Sequence, residues 1–241
     1  MQIKGVLFDF SGTLFRIESV RSWLRTVLAE RKVTVSTADF ERYARELEAA
    51  GALPGGPPPQ HIPARLASAW ATRDESAGLH RKAFTELARQ VALPDTGLYD
   101  ALHERHRSPA AWRPYPDAAE VLGALRDSGI RIGVVSNIGW DLRPVFRVHG
   151  LDALIDAYVL SYEHGIQKPD TRLFHMACTF IGRDPKNVVM VGDDRHADGG
   201  AASLGCDVRF VQHLPVEERP DGLRMLGLLP GVACDKCERC P

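Results

Sequence analysis

From residue 131 onward, short apolar runs alternate with helical patterns, and this alternation restricts the fold more than any other feature of the sequence. Apolar runs at 131–136, 157–161, 187–191 and 207–211 are separated by helical spacing near 140–149, near 172–181 and from about Asp198. Short apolar runs bounded by turn residues read as buried strands. Strands that alternate with helices require a mainly parallel sheet covered on both faces. Residues 3–8 form one more such run near the amino terminus. The expected fold class is α/β, built on a doubly wound, mainly parallel sheet.

Between that first strand and the later ones the pattern is helical. Ser19 or Ser22 can cap a segment whose apolar residues Val20, Trp23, Leu24, Val27 and Leu28 recur at helical spacing. Thr37 to Asp39 opens a second helix that runs to about Ala50. Residues 51–63 are too rich in glycine and proline to continue it and read as a loop. Two or three further helices carry Leu66 and Trp70, then Ala83, Phe84, Leu87 and Val91, then Leu98, Leu102 and His106. Pro114 and Pro116 stiffen the return, and Asp117 is placed to cap a helix over 118–128. The expected division is a core of residues 1–15 and 112–241, a helical insert of residues 16–111, and a flexible tail at 230–241. Leu223, Met225, Leu226, Leu228 and Leu229 are expected to dock a last short helix on the core.

With 30 Lys and Arg against 31 Asp and Glu, no basic field advertises a nucleic-acid or membrane partner. No apolar stretch approaches the roughly 20 residues of a membrane span, and the first strand leaves no room for a signal peptide. A cytoplasmic protein acting on small soluble molecules, as monomer or homodimer, is the expectation. Cys178 and Cys206 fall in core elements, where lone thiols behave as small hydrophobes. Cys234, Cys237 and Cys240 form a closely spaced CxxCxxC tail, a weak zinc signal because such sites normally take four ligands from two separated pairs. The nine histidines show no triad-like spacing.

The chemistry lies where strands end. Asp9 follows the first strand onto a turn containing Gly12, and ligands of open α/β sheets bind at the carboxyl ends of strands. A carboxylate there can serve as nucleophile, as metal ligand or simply as a turn cap. Three later segments have the same form: residues 132–137 ending in Ser136 and Asn137, residues 167–170 with Lys168 and Pro169, and residues 188–194 ending in Asp193 and Asp194, with Asp198 beyond. In this order and spacing the four segments resemble the motifs of the haloacid dehalogenase-like hydrolase superfamily, over roughly the first twenty residues plus 114–211. The resemblance implies a Rossmann-like core, a helical cap, and mostly magnesium-dependent phosphatase activity on small phosphate esters. It implies Asp9 as nucleophile, Mg2+ held by Asp9, Asp193 and the Ser11 carbonyl, and Asp194 and Asp198 as outer ligands or holders. Ser136, Asn137 and Lys168 would bind phosphate oxygens, and Gly12 and Thr13 would bring turn amides to the phosphate.

One residue departs from that pattern. Most phosphatases of the superfamily carry a second Asp two residues after the nucleophile, and this chain has Ser11. Ser11 thus stands at a catalytic position without the acidity to protonate a leaving group. Haloacid dehalogenases lack that Asp too, but need no metal and have a less acidic fourth motif. Phosphonatases place a small residue there and recruit a cap lysine, for which only Lys32 and Lys82 are available. A catalytically weak phosphate- or metabolite-binding protein is the reading from a different class. Arg16, Trp23 and Arg65 are the residues of the insert considered for specificity, and His196 lies within the acidic loop.

Overall fold

The computed structural model describes residues 2–228. Among them seven strands make two sheets: β1 (Gly5–Phe8), β2 (Phe15–Ile17), β3 (Trp112–Pro114), β4 (Arg131–Ser136), β5 (Ala157–Leu160), β6 (Val188–Gly192) and β7 (Asp207–Phe210). Five of them form one sheet in the order β5-β4-β1-β6-β7, and every pair in it is parallel. β1 sits at the centre, with Val6 opposite both Ile132 and Val189. The nine α-helices among the described residues are α1 (Val20–Glu30), α2 (Thr37–Ala49), α3 (Ala67–Ala71), α4 (Ala77–Ala88), α5 (Gly97–Arg107), α6 (Ala118–Asp127), α7 (Arg143–Val148), α8 (Ser161–His164) and α9 (Thr171–Phe180).

Both faces of the central sheet are covered, which is why its inner strands β1 and β6 are apolar throughout, while the edge strand β7 alternates. Successive side chains of β1 point to opposite faces. Leu7 joins Val135, Val159 and Met190 under Leu173, Phe174 and Ala177 of α9. Val6 and Phe8 join Ile132, Val134 and Val189 under Val121, Leu122 and Leu125 of α6. That second cluster continues without a break into Trp23, Leu24 and Leu47 of α1 and α2. Ser19 caps α1 by accepting from the Ser22 amide, Ser36 caps α2, and Ser76 caps α4.

Several local expectations change. The chain does not pass from the first turn straight into helix: Phe15, Arg16 and Ile17 pair antiparallel with Pro114, Arg113 and Trp112. This two-stranded ribbon stands where the helical segment leaves and rejoins the sheet. Asp117 stands at the start of α6 but does not cap it, because its Oδ2 accepts from the amides of Leu223 and Arg224 at 2.7 and 3.1 Å. The helix expected from Asp198 is a 3₁₀ segment, Asp198–Leu204. Gly200 there approaches the Pro169 backbone too closely for a side chain, and Gly199 and Gly200 both disfavour a regular helix. The terminal segment contributes a 3₁₀ turn, Arg224–Leu226, with Leu223 and Leu228 buried beside it. Leu229 and the cysteines at 234, 237 and 240 lie outside the described residues, while Cys178 and Cys206 are both buried free thiols.

Candidate active site

The carboxyl ends of β1, β4 and β6 deliver polar side chains to one cavity of about 350 Å3. Asp9 follows β1, and its amide still donates to Val191 at 2.9 Å as if the strand continued. Ser136 ends β4 and is buried in the cavity lining. Asp193 follows β6, and Asp198 begins the 3₁₀ segment after it.

Lys168 sits at the centre. Its Nζ donates to Asp9 Oδ1 and to Asp198 Oδ1, each at 2.6 Å, and all three side chains are buried. Asp9, Asp193 and Asp198 each offer one oxygen, and these oxygens lie within 4.8 Å of one another. One ammonium faces three carboxylates, so the cluster is short of positive charge. Burial pushes the Asp9 carboxyl up to about 8; Lys168 opposes this, and Asp198 and Asp193 add to it. Asp198 is likewise raised, by burial first. Burial works against the Lys168 ammonium, but Asp198 and Asp9 outweigh it and hold its pKa above the ordinary value. The lysine is thus held in its charged form, while burial and mutual repulsion disfavour ionisation of the carboxylates. Three converging carboxylate oxygens form the hard donor set that magnesium selects, and the surplus negative charge is what a dication neutralises. The residues present fit that ion.

Around this centre each remaining residue has a definite place. Asn137 clasps the Lys168 backbone: its Nδ2 donates to the carbonyl at 2.9 Å and its Oδ1 accepts from the amide at 2.6 Å. Its side chain positions the lysine instead of presenting an amide to the cavity. Asp194 stands outside the carboxylate triplet, because its Oδ1 accepts from the amides of His196 and Ala197 at 2.8 and 2.9 Å. This is a local capping role instead of a ligand position, and His196 itself is exposed. Asp198 Oδ2 accepts from the Asp194 amide at 3.0 Å, so Asp198 both faces Lys168 and ties its own loop.

In the first turn, Gly12 has φ of 80°, and a Cβ there would collide with Asp193 and His213. Its amide donates to Phe15 at 2.7 Å, and those of Leu14 and Phe15 donate to Phe10, so these three serve the turn itself. Thr13 Oγ1 donates to Asp193 Oδ1 at 3.4 Å. Ser11 Oγ is buried without a hydrogen-bond partner. Facing it is Gly55, with φ of +75°, where a Cβ would stand 2.6 Å from Ser11 Oγ and 2.9 Å from the Trp112 ring. The glycine and proline loop therefore roofs the site and leaves Ser11 little room to grow.

Two residues of the site carry no local sequence signal. His213 Nδ1 pairs with Asp193 Oδ2 and its Nε2 with Arg16 Nη1, so the ring bridges an acid and a guanidinium. Arg16 also donates to the Gly55 carbonyl at 2.9 Å, linking the loop roof to the acidic centre. Arg219, buried, donates to the carbonyls of Gly12, Thr13 and Gln212 and lies 3.2 Å from the centre of the Tyr115 ring. Isolated residues beyond the last strand show no spacing that points back to the first turn. Of the other candidates, Trp23 is buried and bonds to the Leu102 carbonyl, and Arg65 pairs with Glu86 at the surface. Lys32 and Lys82 are exposed and do not line the cavity.

A family model described as haloacid dehalogenase-like hydrolase matches residues 3–204. The chain belongs to the haloacid dehalogenase-like hydrolase family. This hydrolase is 32% identical over 144 residues to (S)-2-haloacid dehalogenase 4A of Burkholderia cepacia, a match covering 58% of each protein. It therefore spans little more than half the length of that dehalogenase relative. It is 28% identical over 232 residues to a glyceraldehyde 3-phosphate phosphatase of Methanopyrus kandleri, covering 91% of this chain and 89% of the relative. A crystal structure of a dehalogenase matches with a TM-score of 0.62 at 25% identity, over 90% of both chains. No helix among the described residues is long and apolar enough to cross a membrane.

Proposed function

We propose that this hydrolase is a magnesium-dependent phosphatase of the helical-cap branch, acting on a small phosphomonoester through an aspartyl phosphate. The observation that carries the reading is the convergence of Asp9, Asp193 and Asp198 around one lysine, a donor set short of positive charge. Asp9, Asp193 and Asp198 would hold the Mg2+, which when bound offsets the charge of the phosphoryl oxygens and lets the Asp9 carboxylate ionise. In the reaction, Asp9 attacks phosphorus, the P–O bond to the leaving group breaks, and water then hydrolyses the acyl phosphate and restores Asp9. Lys168 keeps its proton throughout and neutralises charge on the nucleophile and on the phosphoryl group. The Ser136 hydroxyl is placed to donate to a phosphoryl oxygen. Residues 16–111 act as the cap that encloses substrate, its Gly55 closing over Ser11 against Trp112 of the core.

Dehalogenation is the second reading, and one observation favours it. Phe10, Trp112 and Trp140 stack at centroid distances of 4.5 to 6.2 Å, and both tryptophans line the cavity, an apolar wall suited to a haloalkyl group. Turnover of glyceraldehyde 3-phosphate, p-nitrophenyl phosphate and an (S)-2-chloroacid, each with Mg2+ and with excess EDTA, separates the two. Phosphate release that needs Mg2+ is expected. Chloride release that survives EDTA, without phosphate release, would overturn the phosphatase reading.

A further inference from the structure

A second cluster lies in the helical segment, and the active site does not use its nitrogens. α4 and α5 pack together, and His103 and His106, three residues apart, share one face of α5. His80, in the first turn of α4, meets them there. The ring centroids are 4.8 Å apart for His103 and His106, 5.3 Å for His80 and His106, and 5.7 Å for His80 and His103. One ring nitrogen from each residue lies within 4.8 Å of the other two.

All three side chains are more than nine-tenths buried, His106 completely. Both nitrogens of His103, both of His106 and Nδ1 of His80 are buried without a hydrogen-bond partner among the described residues. Imidazoles used only as small aromatic fillers normally satisfy at least one nitrogen each, because an unpaired buried polar atom is unfavourable. Three neighbours with five unpaired nitrogens do not fit that role, and leucine or phenylalanine would fill the same space without the penalty.

We propose that His80, His103 and His106 form a metal site distinct from the carboxylate centre, binding a zinc-class transition-metal dication between α4 and α5. Imidazole nitrogens bound to zinc at about 2.0–2.1 Å lie roughly 3.4 Å apart in a tetrahedron. Three neutral nitrogens leave a fourth position open, a set that suits zinc, copper or nickel and suits magnesium poorly. The donors need no deprotonation, since burial holds His80 at about 3 and His103 at about 4, with His106 also well below its ordinary value. The buried Asp74 adds a countercharge: its Oδ1 is 3.9 Å from His80 Nε2, the nitrogen other than the unpaired Nδ1. A carboxylate behind a ligating histidine orients the ring and raises its basicity.

The site also has a place in the architecture. His80 lines the cavity that Asp9 lines, and its Cβ packs against Gly139 in the loop after β4. Gln167 Nε2 donates to the Ala71 carbonyl at 2.6 Å, and Ser161 Oγ donates to the Asp74 carbonyl at 2.6 Å, docking the same region onto the sheet. An ion there would join α4 to α5 and fix one wall of the cavity while magnesium occupies the other centre.

The test uses the full chain with Cys234, Cys237 and Cys240 changed to serine, so that tail thiols do not take zinc. Chelator-stripped protein is equilibrated with Zn2+ in excess Mg2+, and bound zinc is counted and examined by X-ray absorption. One zinc per chain with an imidazole-nitrogen shell is expected, and Co2+ in its place should give visible tetrahedral bands. His106→Leu and His103→Leu should each weaken zinc binding by at least about 100-fold. Undiminished binding in both folded variants, an oxygen-only shell, or no retained zinc would overturn the proposal. If both variants fail to fold, the ligand shell in the chain with native histidines decides it alone.

Discussion

Asp9, Asp193 and Asp198 gather where strands of the parallel sheet end, whereas His80, His103 and His106 gather between two helices of the segment beside it. Both clusters are largely buried, and burial penalises charge in both, but with opposite results. At the strand ends three acids share one lysine, so protons are retained: the Asp9 carboxyl is held at about 8. Between the helices Asp74 and Glu104 stand 3.9 and 3.7 Å from ring nitrogens of His80 and His103, but burial outweighs them, so protons are expelled and His80 is held at about 3. The contrast follows from scaffold as well as residue type. Strand ends bring charges from distant parts of the chain to one point, whereas a helix repeats its own spacing and gathers like groups on one face.

The largest effect should come from breaking the strand-end cluster at its nucleophile. Asp9→Asn keeps the shape and hydrogen-bonding capacity of the side chain and removes the attacking charge, so turnover should fall by roughly 10⁴–10⁶-fold. Circular dichroism should stay native. Retained turnover in a folded variant would remove Asp9 from the chemistry and leave the contrast purely structural.

Acidification sharpens the comparison. Because His80 and His103 are held below the ordinary value of 6.5, the unfolded chain binds protons first as pH falls. The stability they permit is therefore present above 6.5 and is lost as pH falls from there toward 4. His80 alone accounts for about 3 kcal/mol of that loss in metal-free protein. Denaturant midpoints measured across this range should drop steeply, and His103→Leu should flatten the slope. An unchanged slope would mean the imidazoles are charged in the folded state.

A smaller effect is expected at Ser11. General acid catalysis is typically worth roughly 10²–10⁴-fold, and most when the leaving group is poor. Ser11→Asp should therefore raise the ratio of alkyl-phosphate to p-nitrophenyl phosphate turnover, but by only about 10-fold, below that range. The reason is steric and electrostatic: Gly55 and Trp112 crowd the Ser11 hydroxyl, and a carboxylate would enter a site already rich in acids. Rates for both substrates in both proteins decide it; an unchanged ratio would mean that another group protonates the leaving oxygen.

The sheet and its site were legible for the same reason. Buried parallel strands must be apolar throughout, so residues 131–136 and 188–192 stand out, and the polar residues that end them mark the site by position. Asp9, Ser136 and Asp193 are read this way, whereas Lys168, in the loop between α8 and α9, and Asp198 are read from their place in the motif order; all five line one cavity. What escaped depends on contacts between distant residues. The β2–β3 ribbon is three residues long on each side, too short for periodicity to reveal. Asp117 has every local mark of a helix cap, yet two amides more than a hundred residues later take its carboxylate. His103 and His106 share a helix face by their spacing, but His80 reaches them, and His213 reaches Asp193, only through the packing of whole elements.

Arg219 links the two ends of the described chain in a way that bears on synthesis. Its guanidinium holds the Gly12 and Thr13 carbonyls, 207 and 206 residues earlier in sequence. A nascent polypeptide thus presents its nucleophile turn to the cell long before the arginine that steadies it has left the ribosome. Every strand of the sheet can emerge and pair while that turn still lacks its brace. The family match ends at residue 204, so a fragment cut to the shared boundary would keep all four motifs and lose the clasp that orients the first. A chain released before Arg219 lacks this clasp on the Gly12 and Thr13 carbonyls.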